Sequence, residues 1–348
     1  MLDYLIIGSG LAGIAFAETA LHHNKSILVM DNHSQNASQV AGGLYNPVIL
    51  KRFSEVWQAQ EQLLLSDQFY SVISKKLNIQ IDYKIPILRK FFSIEEQNNW
   101  FVASDKINLT PFLSLNLISK IFEGIESPYG YGEVLQTGYV NTAILFANYQ
   151  KYLLHNHLFL NDTFDFDALI CCDGFIQYKH IEAKHIVFAE GFGMLSNPFF
   201  NHLPLDGTKG ELLIIKAPGL QLDVIVNTSV FIMPLGDDLF KVGATYNWKD
   251  KTNVPTDEGK LELVTRVKEI LNCEFEIINH FAGVRPTVRD RKPLIGTHAK
   301  FSCIHILNGL GTRGVMLAPA MAKALFENIE LGTPLDAAID IKRFKAKG

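Results

Sequence analysis

Tyr4-Leu5-Ile6-Ile7-Gly8-Ser9-Gly10-Leu11-Ala12-Gly13 is the stretch on which the fold turns. Four apolar residues in a row read as a strand buried on both faces, which carries no alternation because neither side meets water. The glycines follow at once in G-x-G-x-x-G spacing. A helical stretch then runs from about Leu11 to His23, and Ser26-Ile27-Leu28-Val29-Met30 reads as a second strand ending at Asp31. Each glycine has a separate task. Gly8 permits the sharp exit from the strand, and Gly10 leaves the backbone bare so that a diphosphate can approach the helix N-terminus. Gly13 lets the helix lie close on the sheet, with Ala17 continuing the small face. Free N–H groups and the helix dipole favour negative charge there. Asp31, followed by Asn32, is placed to accept hydrogen bonds from a ribose. The expectation is a dinucleotide-binding βαβ unit, and the motif alone leaves NAD and FAD open.

Working outward, the run Leu5–Leu21 is apolar, but no basic residue precedes it and Asp3 stands where a leader would carry positive charge. We read it as part of the fold. The chain has 348 residues, 48% apolar and 20% charged, which suits an enzyme of about two structural units. A net charge of −4 is not the signature of a dedicated nucleic-acid binder. Cys171, Cys172, Cys273 and Cys303 form no C-x-x-C pair and no zinc-spaced cluster, so free thiols in a reducing cytoplasm, and no metal, are expected. No segment has the length of a membrane span.

Further along, Thr142 to Leu154 reads as a helix. Asp162–Cys172 and Phe175–Ile181 read as hairpin strands about Asp173-Gly174, and His185–Ala189 as another buried strand, stopped by Glu190-Gly191. Gly210–Ile215, Val230–Met233 and Phe240–Gly243 are strand-like. Glu258–Leu271 is helical, with Leu261, Val264, Val267 and Leu271 assigned to one face. Ile304–Leu307 is a strand, Asn308–Gly314 a glycine-rich turn, and a helix follows from about Val315 to Glu330, with Pro319 in its first turns.

With these pieces in place, the chain resembles the FAD-dependent D-amino-acid oxidase and glycine oxidase superfamily. The likeness covers nearly its whole length and keeps its order. It is carried by the N-terminal fingerprint, by Ala37-Ser38-Gln39-Val40-Ala41-Gly42-Gly43, and by Ile186–Gly191. Lys209-Gly210-Glu211 and Val242-Gly243-Ala244-Thr245 come next. Gly283-Val284-Arg285-Pro286 with Asp290, Pro293 and Gly296 follows, and Gly309–Gly314 before Ala318-Pro319 completes the series. Gly42–Pro47, Gly243–Tyr246, Gly283–Arg285 with Arg289-Asp290, and Leu310–Gly314 are similar to the oxidoreductase half of the bifunctional tRNA carboxymethylaminomethyl-uridine enzymes.

The resemblance implies an α/β fold: a Rossmann-like FAD-binding domain (1–50, 140–205 and 283–348) interleaved with an α+β substrate domain on an antiparallel sheet (51–139 and 206–282). It implies non-covalent FAD held by Gly8, Gly10, Leu11, Ala12, Gly13, Asp31, Asn32, Ala41, Gly42, Gly43, Phe164, Ala189, Glu190, Gly191, Gly309, Gly311, Thr312, Arg313, Gly314 and Val315. Cys303 falls in a buried strand, so no covalent flavin link is expected from it. Catalysis implies hydride transfer from the carbon beside an amine to the flavin. Arg285 is the expected clamp on a substrate carboxylate, with an ion pair to Asp290 as the competing role. Tyr246, Arg313 and Tyr45 are the other candidate pocket residues, with packing as the competing role of the tyrosines and the capping of a neighbouring loop that of Arg313, and Lys51-Arg52 reads as a solvated turn, with a phosphate-facing patch as the alternative. The expected partner is a small amine or amino acid. A modified tRNA base is the alternative substrate, and a non-catalytic flavoprotein the third reading.

Overall fold

The computed structural model describes residues 1–344, so the last four residues of the expected 283–348 segment lie outside the described residues. The N-terminal run forms the strand Leu2–Ile7 and takes parallel neighbours on both sides. Ile6 stands opposite Val29 of Ile27–Met30 and opposite Val187 of Ile181–Phe188. The parallel array extends to Phe159–Leu160 at one end and to Ile304–Asn308 at the other. Tyr4 and Ile6 enter one hydrophobic core and Leu5 and Ile7 another, which is why the run is apolar without a break. Helix Leu11–His22 packs on helix Gly314–Leu331 over the first of these cores.

The hairpin at Asp173-Gly174 joins Leu169–Cys171 to Ile176–Tyr178, with Gly174 at φ +80°. The first arm is shorter than the expected Asp162–Cys172. Asp165 accepts a hydrogen bond from the Asp167 N–H and turns 166–168 into a single 3₁₀ turn.

A second sheet of eight strands runs in the order Glu276–Arg285, Thr208–Lys216, Leu239–Gly243, Phe231–Gly236, Ile225–Asn227, Ile87–Lys90, Tyr131–Val134, Leu113–Ile118. It is antiparallel except where Ile225–Asn227 meets Ile87–Lys90. Strands from both sides of the 140–205 segment therefore share one sheet. Its edge strand continues past 282: Gly283 pairs with Gly210 and Arg285 with Thr208, so the Gly283-Val284-Arg285 motif belongs to this sheet by hydrogen bonding.

Helix Asp257–Lys268 ends before the expected Leu271; of the expected apolar face, Val267 and Leu271 are buried and Val264 is partly buried on the same core, and Leu261 alone points away. Gly259, Leu263 and Val267 are buried, whereas Leu261 is 67% exposed. Two residues along a helix is about 200°, so burying Leu263 turns Leu261 outward. Thr256, whose Oγ1 accepts from the Gly259 N–H, caps the start.

Pro319 lies inside helix Gly314–Leu331 and cannot donate to the carbonyl of Val315 four residues back. Tyr70 Oη, from helix Ala59–Leu77, donates to that carbonyl at 2.7 Å, and Ser66 Oγ donates to Met316 O at 2.9 Å. The helix stays continuous because a neighbouring helix satisfies the group that proline leaves open. Among the described residues no helix is long and apolar enough to cross a membrane.

Candidate active site

The strand Leu2–Ile7 leaves the sheet at Gly8, whose φ of +103° a side chain would strain. A Cβ there would lie 2.4 Å from Ala189 O, and one on Gly13 would lie 1.8 Å from Gly8 O. These two glycines are packed into the protein. Gly10 is different: an added Cβ meets only Ser38 Oγ, at 3.3 Å, and the residue borders a large cavity. The helix that follows has no side-chain cap and no acid in its first turn. Leu11 N donates to Ser38 Oγ at 3.3 Å, and the next N–H groups of the first turn lie beside a glycine with no side chain at the cavity, an arrangement that fits a diphosphate.

Asp31 Oδ2 accepts from Ser9 N (2.6 Å) and Ser9 Oγ (2.5 Å), and Oδ1 accepts from His33 N (2.7 Å). The acid expected to meet a ribose thus also pins the glycine turn to the end of the second strand. Asn32 is exposed at the cavity rim and donates to Thr163 Oγ1. Phe164 stacks on Tyr178 at 4.5 Å between ring centres and contributes to the same wall.

The cavity has a volume of about 2240 Å³ and runs between the two sheets. A pocket for one small ligand measures roughly 300–1,000 Å³, so this space has room for a long dinucleotide and a substrate together. Every residue named above as a cofactor or substrate candidate reaches its wall except Gly13, which lies beneath the turn. The segment Ala41-Gly42-Gly43 approaches from one side, where Gly42 faces the Phe231 ring and Gly43, at φ +75°, lies against Val140 O. Gly309 (φ +72°) and Gly311 (φ +57°) approach from another and lead into helix Gly314–Leu331, again without a side-chain cap or an acid in its first turn.

Arg285 ends its strand at the cavity wall, half-buried. Its guanidinium lies over the ring of Tyr246 with 4.6 Å to the ring centre, and Nη1 donates to Thr245 O at 3.3 Å. It crosses Gly210, where an added Cβ would lie 1.9 Å from Nη2. Among the described residues no carboxylate is within ion-pair distance of it. Asp290, the partner that would have made it structural, pairs instead with Arg343 at 2.8 Å. Burial pulls the guanidinium below its ordinary pKa.

Tyr246 sits on the loop after strand Leu239–Gly243, and a buried network ties that loop down. Lys209, fully buried, reaches Asp250 at 2.5 Å and donates to Val254 O. Glu211 accepts from Thr256 N and Thr256 Oγ1, with His280 Nε2 at 2.8 Å.

Arg313 also lines the cavity, and its Nη1 donates to Asn46 O at 3.1 Å. Tyr45 takes another course: it is 6% exposed, and its hydroxyl donates to Asp82 at 2.9 Å. Its phenol is committed to the protein and is not offered to a ligand. Arg52 is exposed in a turn, as the sequence reads, and that turn also borders the cavity, with its charge felt at Arg313. Lys241 was not singled out. It is half-buried within a strand, its Nζ donates to Ala41 O at 3.3 Å, and burial pulls its pKa down. A lysine between Phe240 and Val242 in a strand-like run was the available signal.

Glu190 borders the cavity beside the glycine turn and accepts from Asn197 Nδ2 at 2.7 Å. Burial raises its pKa from 4.5 to about 7, against the smaller opposing effect of that hydrogen bond. Below pH 4.5 the folded and unfolded chains both hold this proton. Between 4.5 and about 7 only the folded chain does, so stability falls as pH rises, and above about 7 the loss is complete. Its upper bound is about 3 kcal/mol. Glu190→Gln keeps an oxygen for Asn197 and has no proton to lose. Chemical denaturation at pH 5 and pH 8 should show the wild type losing stability relative to this variant, and parallel pH profiles would exclude the assignment.

The sequence profile of the FAD dependent oxidoreductase family, DAO, matches residues 3–328. The chain belongs to this family. FAD is accordingly the cofactor of this oxidoreductase, and none of its four cysteines lines the cavity. Among curated proteins, this DAO-family chain is 31% identical to glycine oxidase of Bacillus licheniformis over 173 residues, 48% of this chain and 46% of that one. It is 23% identical to the tRNA 5-methylaminomethyl-2-thiouridine biosynthesis bifunctional protein MnmC of Marinobacter nauticus, over 93% of this chain and 55% of that one. The matches thus span about half the length of these relatives. Glycine oxidase from Geobacillus kaustophilus superimposes with a TM-score of 0.79 at 17% identity, covering 99% of both chains. Iminodiacetate oxidase from Chelativorans gives 0.77 at 17%, covering 97% of this chain and 98% of that one. These last two establish the shared fold.

Proposed function

We propose that this protein oxidises the C–N bond of an amino acid or N-substituted glycine, with Arg285 holding the substrate carboxylate. The observation that carries this reading is the state of Arg285. It is a half-buried cation at the wall of the cofactor cavity, in contact with a tyrosine face and one carbonyl, and with no carboxylate partner among the described residues. A desolvated guanidinium is costly until an anion meets it. A carboxylate meets it through two parallel hydrogen bonds that fix orientation as well as charge.

When bound, the flavin supplies the acceptor for the two electrons and the hydrogen that leave the carbon beside the nitrogen. The chain's own residues orient the substrate. Arg285 sets the carboxylate end, Tyr246 walls one side, and the loop anchored by Lys209 and Glu211 keeps both in register. The imine product hydrolyses in water.

Anaerobic mixing of the yellow protein with sarcosine, glycine and small D-amino acids should bleach the flavin absorbance, whereas propylamine should do so far more slowly. Equal bleaching by propylamine and sarcosine would remove the carboxylate clamp from the reaction. A tRNA base bearing an aminoacetate group offers the same reacting atoms, and this reading is supported by the 93% coverage in the match to MnmC. Its signature is turnover that falls steeply with added salt, as phosphate contacts require.

A further inference from the structure

The clamp strand Glu276–Arg285 is the end strand of its sheet, with Thr208–Lys216 on its inner side. The outer side of such a strand leaves backbone groups without a neighbour. Just before Arg285, two asparagines take these groups. Asn36 Nδ2 donates to Ala282 O at 3.2 Å, and Val284 N donates to Asn253 Oδ1 at 3.1 Å. Between them the strand lies flush on the short helix Ala37–Val40: a Cβ added to Gly283 would lie 3.0 Å from Ala37 Cα.

Asn253 also reaches the other way. Its Nδ2 donates to Ser34 O at 3.3 Å. Ser34 borders the cavity in the loop after Asp31, and its N–H donates to Asn32 Oδ1 at 3.0 Å. One side chain therefore joins the loop expected to meet the ribose to the strand that ends in Arg285. Its partners fix which way the amide points, since a backbone N–H needs an oxygen and a backbone carbonyl needs an N–H. A carboxylate of the same shape offers acceptors alone.

The rest of the loop is held by other groups. Lys209 reaches Asp250 and donates to Val254 O, and Lys251 Nζ donates to Asp206 O at 2.6 Å and to Gly207 O at 2.8 Å. Asn253 is half-buried and does not itself border the cavity. Removing its amide leaves the loop anchored and frees the end of the clamp strand.

We infer that Asn253 is a positioning residue: by tying Ser34 to Val284 it sets the end of the clamp strand, and with it the Arg285 guanidinium, against the nucleotide-binding side of the cavity. This rests on the proposed function, in which Arg285 holds the substrate carboxylate.

The test needs no turnover. The FAD-loaded protein is titrated with acetate, following the flavin absorbance, in the wild type, Arg285→Leu, Asn253→Ala, Asn253→Asp and the Arg285→Leu/Asn253→Ala double variant. Asn253→Ala should keep its FAD and bind acetate about 5- to 10-fold more weakly, the equivalent of one lost neutral hydrogen bond. Asn253→Asp keeps the acceptor for Val284 N and loses the donor for Ser34 O, so it should lose affinity as well. The residual binding of Arg285→Leu should not fall further in the double variant, because the amide acts through the guanidinium. Wild-type affinity in Asn253→Ala overturns the inference, and wild-type affinity in Asn253→Asp overturns the tie to Ser34 on which it depends. A further loss in the double variant overturns it in favour of general packing of the loop.

The two readings fail separately. If Arg285→Leu leaves acetate affinity unchanged, the carboxylate clamp is wrong and the role of Asn253 falls with it. If Arg285→Leu weakens acetate and Asn253→Ala does not, the clamp stands and the positioning role alone is wrong.

Discussion

Replacing Arg285 by leucine should leave a yellow, folded protein whose kcat/KM for a carboxylate-bearing amine is down roughly 30-fold to several thousand-fold. The range follows from removing one partner of a buried charged pair, which costs about 2–5 kcal/mol. Leucine fills similar space and removes a cation that has no carboxylate partner among the described residues, so the fold should not suffer. Arg285→Lys should recover only part of the loss, because a lysine presents one point charge and cannot reproduce the parallel hydrogen bonds. Flavin content by absorbance and reduction rates by stopped flow separate the two effects. Near-normal reduction in the leucine variant would assign Arg285 to the scaffold.

An equally large effect is expected at the glycine turn, with a sharp distinction within it. Gly10→Val should fold and should fail to hold FAD. The backbone at Gly10 has ordinary angles, and an added Cβ meets only the rotatable Ser38 hydroxyl, so the objection to a side chain there comes from the diphosphate. Gly13→Ala should fail earlier, in the protein itself. Its Cβ would lie 1.8 Å from the carbonyl of Gly8, which can move only by parting helix from strand. Forcing volume into a packed contact costs about 1–3 kcal/mol or more. Circular dichroism and melting should therefore report the Gly13 variant as damaged and the Gly10 variant as nearly intact. FAD titration should report both as defective. A Gly10 variant that binds FAD normally would move the diphosphate away from this turn.

The contrast between these glycines also shows what a sequence can express. Gly8, Gly10 and Gly13 act within six residues of one another, so strand, turn and helix are written locally. The hairpin at Gly174 and the stop at Gly332, both at positive φ, are equally local. Arg285 is a harder case. Its motif marks it, but Asp290, five residues away, was the natural partner, and only the fold shows that Arg343 takes that acid. Arg52 is the exposed turn residue its sequence suggests, and only the fold brings it near Arg313, more than two hundred residues further on. Tyr45 reaches the cavity wall, but Asp82 captures its hydroxyl across a small sheet that no local pattern announces. In helix 257–268 both Leu261 and Leu263 could have joined the face that holds Val267, and contact with the second sheet selects Leu263.

Gly210 gives the site a property that has nothing to do with its present substrate. The Arg285 guanidinium lies across Gly210, two residues along the next strand from its paired Thr208, because that position carries no side chain. A methyl group at 210 would collide with the guanidinium and displace it, while the strand pairing beneath stays the same. The location of the guanidinium is thus adjustable through a neighbouring backbone position. For anyone redesigning this chain toward longer or shorter acids, position 210 is the dial, and the arginine itself can be left alone.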